Sequence, residues 1–230
     1  MAYDSGVEQT PYLESNPFEA ARYADNPDPR CPCVLVLDRS GSMAGQPIAE
    51  LNAGLQQFRA ELLSDELAAR RVELAVVPFG PVVRGSTFHP PQEFQPQTLT
   101  AGGDTPTGAA LEYAVELIIQ QKLAYKQHGV PYYRPWIILI TDGQPTDDWQ
   151  AAARLIRDGE AQKAFAFFAI GVQGADMNVL GRLAPRGPLH LQGLAFREFF
   201  LWLSASLSGV SKSTVGEIVP LPPRSGWESV

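Results

Sequence analysis

Short apolar runs alternate with amphipathic stretches along the middle of the chain. The clearest apolar runs end at Leu37, Phe79, Ile140 and Val172, and their lengths are typical of strands buried on both faces of a parallel sheet. Between them, apolar side chains recur every three or four residues, a spacing that places them on one face of a helix. The alternation predicts an α/β fold, namely a doubly wound, mostly parallel central sheet with helices on both faces.

The pattern also predicts the individual elements. The predicted strands cover 34–37, 72–79, 136–140, 164–172 and 189–191, with 82–88 as a hairpin partner at the sheet edge. Helices are predicted from Pro47 to Leu62, from a cap at Thr105, from caps at Thr146–Asp148, and over 177–183 and 196–207. The aromatic side chains at 196, 199, 200 and 202 are assigned to the core rather than to an interface.

The domain organisation follows from changes in composition. Residues 1–30 are acidic, polar and rich in proline, so we expect an irregular lead. Residues 31–210 form the single α/β domain, and 211–230 form a proline-rich tail. Trp227 in this tail either docks onto the domain or serves a partner, and the sequence does not decide between the two.

Composition narrows the classes of function. Hydrophobic residues make up 45% of the chain and charged residues 19%, values ordinary for a globular protein. The formal net charge of -7 argues against a basic nucleic-acid surface. No basic region followed by an apolar run opens the sequence, and no apolar stretch is long enough to cross a bilayer. Cys31 and Cys33 are interpreted as small apolar side chains kept reduced in the cytoplasm.

Oxygen-bearing side chains follow the apolar runs in three loops. Asp38, Ser40 and Ser42 come after the first strand, Thr105 lies in a glycine-rich loop, and Asp142 follows the third predicted strand. Because the carboxyl ends of parallel strands lie at one edge of a sheet, we expect all five side chains to meet there. Carboxylates and hydroxyls are hard ligands, so the expected ion is Mg²⁺, with Mn²⁺ or Ca²⁺ as alternatives.

Each of these residues also has a simpler explanation. Ser42 and Thr105 could cap helices, and an Asp at a strand end is often a turn residue. The order and context of the five residues favour a joint site. Uncharged hydroxyls would leave the metal electron-poor, and an open position would then attract an Asp or Glu of a protein partner. Asp147 and Asp148 border this site.

Catalysis is an alternative role for the same site. His89, His128 and His190 lie near no nucleophile motif, and G-x-S-x-G and Walker A sequences are absent. The alternative is a Mg²⁺-dependent phosphoryl-transfer enzyme that uses Asp38. No lysine follows a strand to balance a phosphate, so we expect a binding protein and not an enzyme. A metal-independent structural scaffold is the third class.

The five residues carry a resemblance to a known family. Asp38-x-Ser40-x-Ser42, followed in order by Thr105 and Asp142, resembles the metal-ion-dependent adhesion site of von Willebrand factor type A domains. The resemblance covers roughly residues 31 to 210. It implies a doubly wound α/β fold with Ser40, Ser42 and Thr105 as direct metal ligands, and with Asp38 and Asp142 acting partly through water.

A narrower resemblance is to the TerY-like proteins of bacterial tellurium-resistance and stress-response gene clusters. It rests on Leu37–Met43, on Gly102–Pro106, on Thr141–Asp147, on the helix at 199–204 and on the closing Leu221–Trp227. It implies a cytoplasmic protein whose partners are kinase-like and phosphatase proteins. The acidic lead over residues 1–30 has no assigned counterpart in that group.

Overall fold

The computed structural model describes Tyr23 and residues 25–81, 83 and 85–228. Its strands are β1 (Cys31–Asp38), β2 (Val72–Phe79), β3 (Trp136–Thr141), β4 (Ala166–Gly171) and β5 (Leu189–His190). Its helices are α1 (Gln46–Ser64), α2 (Glu66–Arg71), α3 (Thr107–Gln127), α4 (Gln150–Ala161), α5 (Met177–Leu183) and α6 (Phe196–Lys212). A 3₁₀ turn, Gly41–Met43, follows β1.

The five strands form one sheet in the order β2-β1-β3-β4-β5, and every pairing between them is parallel. β1 therefore lies between β2 and β3, and the strand order reverses there. In open α/β sheets, the crevice at such a reversal is where ligands bind, at the carboxyl ends of the strands. The predicted doubly wound, parallel α/β fold is confirmed.

The helices cover both faces of the sheet because side chains alternate along each strand. Val34 and Val36 pack in the layer that contains α3, α4 and α5. Leu35 and Leu37 pack in the opposite layer, with α1 and α6. The aromatic side chains of α6 are buried in that second layer, as predicted, and they are Phe196, Phe199, Phe200 and Trp202.

Element ends differ from the predicted ones where tertiary contacts intervene. β4 begins two residues late because the Ala164 N–H donates to Gly159 O at the end of α4. α2 was not predicted. Asp65 starts it by accepting from the backbone N–H groups of Leu67 and Ala68.

The predicted hairpin partner of β2 is present only as a short antiparallel contact. Leu74 and His89 exchange two backbone hydrogen bonds of 2.8 and 2.9 Å, and Ser86 bonds to Val76. The residues between these contacts form no regular strand, and Val82 and Arg84 lie outside the described residues. Pro78, which has no N–H to leave unpaired, lies on this edge strand.

The tail after α6 folds back onto the domain. Trp227 is 1% exposed, and its ring lies 5.1 Å from those of Phe199 and Trp202. The Trp202 Nε1–H donates to Pro222 O over 2.9 Å, and Gln192 N–H donates to Trp227 O over 2.7 Å. Trp227 is therefore part of the core, which decides between the two roles the sequence left open.

The part of the acidic lead that the structure describes is attached to the end of the sheet opposite to the carboxyl ends. Arg30 is buried, and its Nε lies 3.4 Å from Glu73 Oε1. Residues 1–22 and 24 lie outside the described residues.

Among the described residues, no helix combines the length and the apolar composition needed to cross a membrane.

Candidate metal centre

Asp38 is the last residue of β1, and the backbone that follows it holds its carboxylate in place. The Ser40 N–H donates to Asp38 Oδ1 over 2.8 Å, and the Thr141 hydroxyl, at the end of neighbouring β3, donates to Oδ2. The residue has no exposed surface. Two donors fix the carboxylate at the carboxyl edge of the sheet, at the reversal of strand order.

The two serines lie in the turn directly after β1. Ser40 Oγ and Ser42 Oγ are 3.0 Å apart, and Ser42 Oγ donates to Asp142 Oδ1 over 2.7 Å. Ser42 caps no helix, since the N-cap of α1 is Gly45. The capping explanation of Ser42 is therefore wrong, and its hydroxyl lies among the other oxygen atoms of the candidate site.

Thr105 reaches the site through a loop that hydrogen bonds tie to the β1 turn. Gly41 N–H donates to Gly103 O over 3.0 Å, and Gly102 N–H donates to Arg39 O over 2.8 Å. A Cβ added at Gly143 would lie 3.2 Å from Thr105 Oγ1 and 3.7 Å from Asp38 Oδ2. Glycine at 143 thus lets Thr105 approach the loop that carries Asp142.

Thr105 does not cap α3, contrary to the prediction. The helix begins at Thr107, its N-cap position is Pro106, and that position makes no side-chain capping bond. The first turn of α3 is capped instead by Asp147, whose carboxylate accepts hydrogen bonds from Gly108 N at 3.0 Å and from Ala109 N at 2.8 Å.

Thr146, Asp147 and Asp148 were predicted to cap the helix after β3, but its N-cap position is Trp149, and of the three only Asp148 bonds to its first turn. Asp148 Oδ1 accepts from the N–H of Gln150, the first residue of α4, over 3.0 Å. Thr146 Oγ1 instead accepts from Thr105 N over 3.1 Å. Two further residues hold the loops of the site in place, Asp147 through α3 and Thr141 through Asp38. The sequence analysis assigned neither of them this role. Thr141 stands directly before Asp142 and could have been recognised as a strand-end hydroxyl.

The two carboxylates of the site are costly to keep charged. Burial raises the pKa of the Asp38 carboxyl above its ordinary value, and hydrogen bonds from Thr141 and Ser40 oppose part of that rise. Burial, together with the nearby charge of Asp38, also raises the pKa of Asp142, while the bond from Ser42 lowers it. In the described part of the chain, neither carboxylate has an ion-pair partner. A bound cation would stabilise both negative charges.

The donor set fits a hard divalent cation. Two carboxylates and the hydroxyls of Ser40, Ser42 and Thr105 converge at one edge, and each is an oxygen donor of the kind Mg²⁺ prefers. Among the described residues, no group of three or more His, Cys, Asp or Glu side chains could hold a metal ion, so the hydroxyls are needed to complete this ligand set. A soft metal such as Zn²⁺ would find no sulfur or imidazole here.

Groups associated with catalysis lie elsewhere. His89 Nδ1 is 3.5 Å from Glu93 in the loop beside β2, and His128 Nδ1 bonds to Ala124 O at the end of α3. Lys122 Nζ bonds to Ala164 O, and Lys212 pairs with Asp65. A cavity of about 490 Å³ between α1 and the β2 edge includes His89 but none of the five site residues.

A five-stranded parallel sheet with an Asp-x-Ser-x-Ser turn, a threonine and a second aspartate at its switch point defines a class of α/β domain. The sequence model of the von Willebrand factor type A domain matches residues 33–197. The chain belongs to the von Willebrand factor type A domain family.

Solved structures share this fold at low sequence identity. The pilus adhesin SpaC from Lactobacillus rhamnosus GG matches with a TM-score of 0.64 and 14% identity, over 80% of this chain and 31% of SpaC. The vWF domain of the type V pili tip protein Mfa5 from Porphyromonas gingivalis matches with a TM-score of 0.60 and 13% identity, over 82% of this chain and 98% of that one. Proximal thread matrix protein 1 from the mussel byssus matches with a TM-score of 0.55 and 18% identity, over 80% and 49%. This chain thus spans about a third of SpaC, and nearly all of the isolated Mfa5 domain.

Proposed function

We propose that this protein is a metal-ion-dependent protein interaction module. In this proposal a divalent cation, Mg²⁺ first, is held at the carboxyl edge of the sheet and binds an Asp or Glu of a partner. The observation that carries it is the 2.7 Å hydrogen bond between Ser42 Oγ and Asp142 Oδ1, which brings together loops from opposite sides of the switch point. Membership of the von Willebrand factor type A family, and neighbours that include pilus adhesins, support a role in protein interaction.

Each residue has a distinct part in the proposal. Ser40, Ser42 and Thr105 would ligate the cation directly through neutral hydroxyls, while Asp38 and Asp142 would balance its charge partly through water. The cation supplies an electron-poor coordination position. Thr141 orients the Asp38 carboxylate by its hydrogen bond, and Gly143 leaves room for the Thr105 hydroxyl.

We propose that the site binds and does not catalyse. A phosphoryl-transfer site built on Asp38 would need a cation from the protein to balance the transferred phosphate. Lys122 and Lys212 bond to Ala164 O and Asp65, and Lys163 is exposed ahead of β4. Arg39, next to Asp38, donates through Nη1 to Thr100 O over 3.2 Å. Phosphate release that depends on Mg²⁺ and is lost in Asp38→Asn would overturn this part of the proposal.

The cellular setting is proposed from the narrower resemblance. The stretches Leu37–Met43, Gly102–Pro106 and Thr141–Asp147 are similar to TerY-like proteins. We therefore propose a cytoplasmic role in a bacterial tellurium-resistance or stress-response system, with kinase-like or phosphatase proteins of that system as partners.

Calorimetry with Mg²⁺ tests the site itself. We expect EDTA-stripped protein to bind one Mg²⁺, and Asp38→Ala to weaken the binding by about tenfold or more. Glu116→Ala, which removes an exposed carboxylate from α3, is the matched control and should leave the affinity unchanged. Unchanged affinity in Asp38→Ala would show that the metal is bound elsewhere. Partner binding that is indifferent to EDTA would favour the metal-independent scaffold.

A further inference from the structure

A groove of about 480 Å³ lies between α4 and α5, on the flank of the domain next to the candidate metal centre. We call it the arginine groove. The residues that line it include Trp149, Arg154, Arg157 and Arg182. Three guanidinium groups therefore share one surface depression with one indole ring.

Among the described residues, these three arginines have no ion-pair partner, in contrast to Arg134 and Arg186. Arg134 and Arg186 both pair with Glu160, at 2.8 and 2.7 Å. Arg154, Arg157 and Arg182 are exposed, and no carboxylate in the described part of the chain lies within ion-pairing distance of them. The formal net charge of the chain is -7, so this positive groove contrasts with an acidic molecule.

One end of the arginine groove lies beside the loop that carries Asp142. Trp149 directly precedes α4 and follows the loop that carries Asp142. Asp147 and Asp148 in that loop are already engaged by the first backbone N–H groups of α3 and α4. From Gln150 to Arg157 the helix rises by about 10 Å, a distance that an extended chain covers in about three residues.

We propose that the arginine groove receives an acidic, extended segment of the same protein partner whose Asp or Glu would complete the metal site. This inference rests on the proposed function and deepens it by assigning the chemistry of the partner. Charge complementarity selects the occupant: carboxylates of the segment pair with Arg154, Arg157 and Arg182, while Trp149 packs on its aliphatic parts. Because the chain has a formal net charge of -7, the three arginines give this groove a charge opposite to that of the whole molecule, and long-range attraction of an acidic segment favours it.

A fluorescein-labelled peptide of ten glutamates is the probe, and its anisotropy is measured with the full chain in Mg²⁺ or in EDTA. We expect the triple variant Arg154→Glu, Arg157→Glu, Arg182→Glu to weaken binding by about tenfold or more. The triple variant Lys126→Glu, Lys163→Glu, Arg197→Glu makes the same charge change at exposed positions outside the groove. That control should weaken binding less than about twofold, because separated surface charges are screened by salt.

The outcomes separate this inference from the proposed function. Equal weakening in both triple variants, or no binding by the unmodified protein, would overturn the arginine groove. If only the groove variant binds the peptide more weakly, both in EDTA and in Mg²⁺, the result supports the groove. If Mg²⁺ also has no effect on peptide binding by the unmodified protein, that second result counts against the metal site and not against the groove. A groove variant with intact affinity beside a clear Mg²⁺ effect would refute the groove alone.

Two further measurements cover the remaining possibilities. A neutral variant, Arg154→Gln with Arg157→Gln and Arg182→Gln, should also weaken peptide binding, and circular dichroism checks that each variant is folded. A ten-nucleotide thymidine oligonucleotide tests whether the groove prefers phosphate. Tighter binding of that oligonucleotide than of the glutamate peptide, lost in the same variants, would assign the groove to nucleic acid and overturn the proposal.

Discussion

Replacing Asp38 by Asn should affect the stability of the metal-free and metal-bound protein in opposite directions. Asp38 is fully buried, Asp142 lies nearby, and burial raises the pKa of both carboxyls. The amide keeps the shape of the carboxylate, and its oxygen can still accept from the Ser40 N–H. Its NH2 group would face Thr141 Oγ1, whose hydroxyl rotates so that the oxygen accepts, and the change removes one buried negative charge. In EDTA we therefore expect Asp38→Asn to unfold at the same temperature as the unmodified protein, or higher.

The effect of Mg²⁺ on the unmodified protein sets the magnitude. A ligand present at about 100 times its dissociation constant stabilises the folded state by about 2.7 kcal/mol. For a domain of this size, each kcal/mol raises the unfolding midpoint by roughly 2–4 °C, so saturating Mg²⁺ should raise it by about 5–11 °C. Asp38→Asn should lose most of that rise, because the site is then short of one charge.

Differential scanning calorimetry of both proteins in EDTA and in saturating Mg²⁺ measures all four midpoints. Glu116→Gln, an exposed acid-to-amide change on α3, should keep the full Mg²⁺ response. The reasoning is refuted if Asp38→Asn retains the same upward shift as the unmodified protein. A large loss of stability in EDTA would refute the claim that the charge of Asp38 is costly without a cation.

Three further predictions concern the framework around the site. Trp227→Ala should cost about 3–5 kcal/mol in urea unfolding, because a buried indole is lost from the core, and a loss below about 1 kcal/mol would mean that the tail is not docked. Gly54→Ala should destabilise by about 1–3 kcal/mol, since its Cβ would lie 2.5 Å from the Phe200 ring, whereas Gly209→Ala, with open space around it, should stabilise α6 by about 0.5–1 kcal/mol. Burial raises the pKa of the Cys31 thiol to about 12 from 9.0, so the contribution of this thiol to stability is complete below pH 9.0 and is lost as the pH rises towards 12. A disulfide reagent should therefore find the thiol unreactive at pH 8 until the chain unfolds. Rapid modification of the folded protein would contradict the burial.

The sheet could be predicted from the sequence because its strands are buried on both faces. A strand such as Val34–Leu37 has no polar face, so its apolar run is continuous and needs no tertiary information to be recognised. The edge of β2 could not be predicted in the same way. There the described residues of the partner segment bond to β2 through His89 and Ser86, and two such contacts leave no alternation in the sequence.

Topology predicts that the five side chains of the candidate site meet at one edge of the sheet, which the structure shows, but it does not predict which hydrogen bonds each of them makes. A hydroxyl before Pro106 fits a helix cap and a metal ligand equally well, and the local sequence at Thr105 contains nothing that decides between them. The structure excludes the cap, because Asp147, which lies 39 residues after Gly108, takes over the capping of α3. Thr105 Oγ1 is thereby left free to face the loop of Gly143.

This exchange of roles has a structural consequence for the site. Because Asp147 holds the start of α3 and Thr146 bonds to Thr105, the loops that carry Thr105 and Asp142 are joined by four hydrogen bonds. The Thr105 loop is joined in turn to the β1 turn through Gly103 O and Gly102 N. The three loops therefore hold their oxygen donors in place without a bound cation, and in the proposed function little conformational entropy would oppose metal binding.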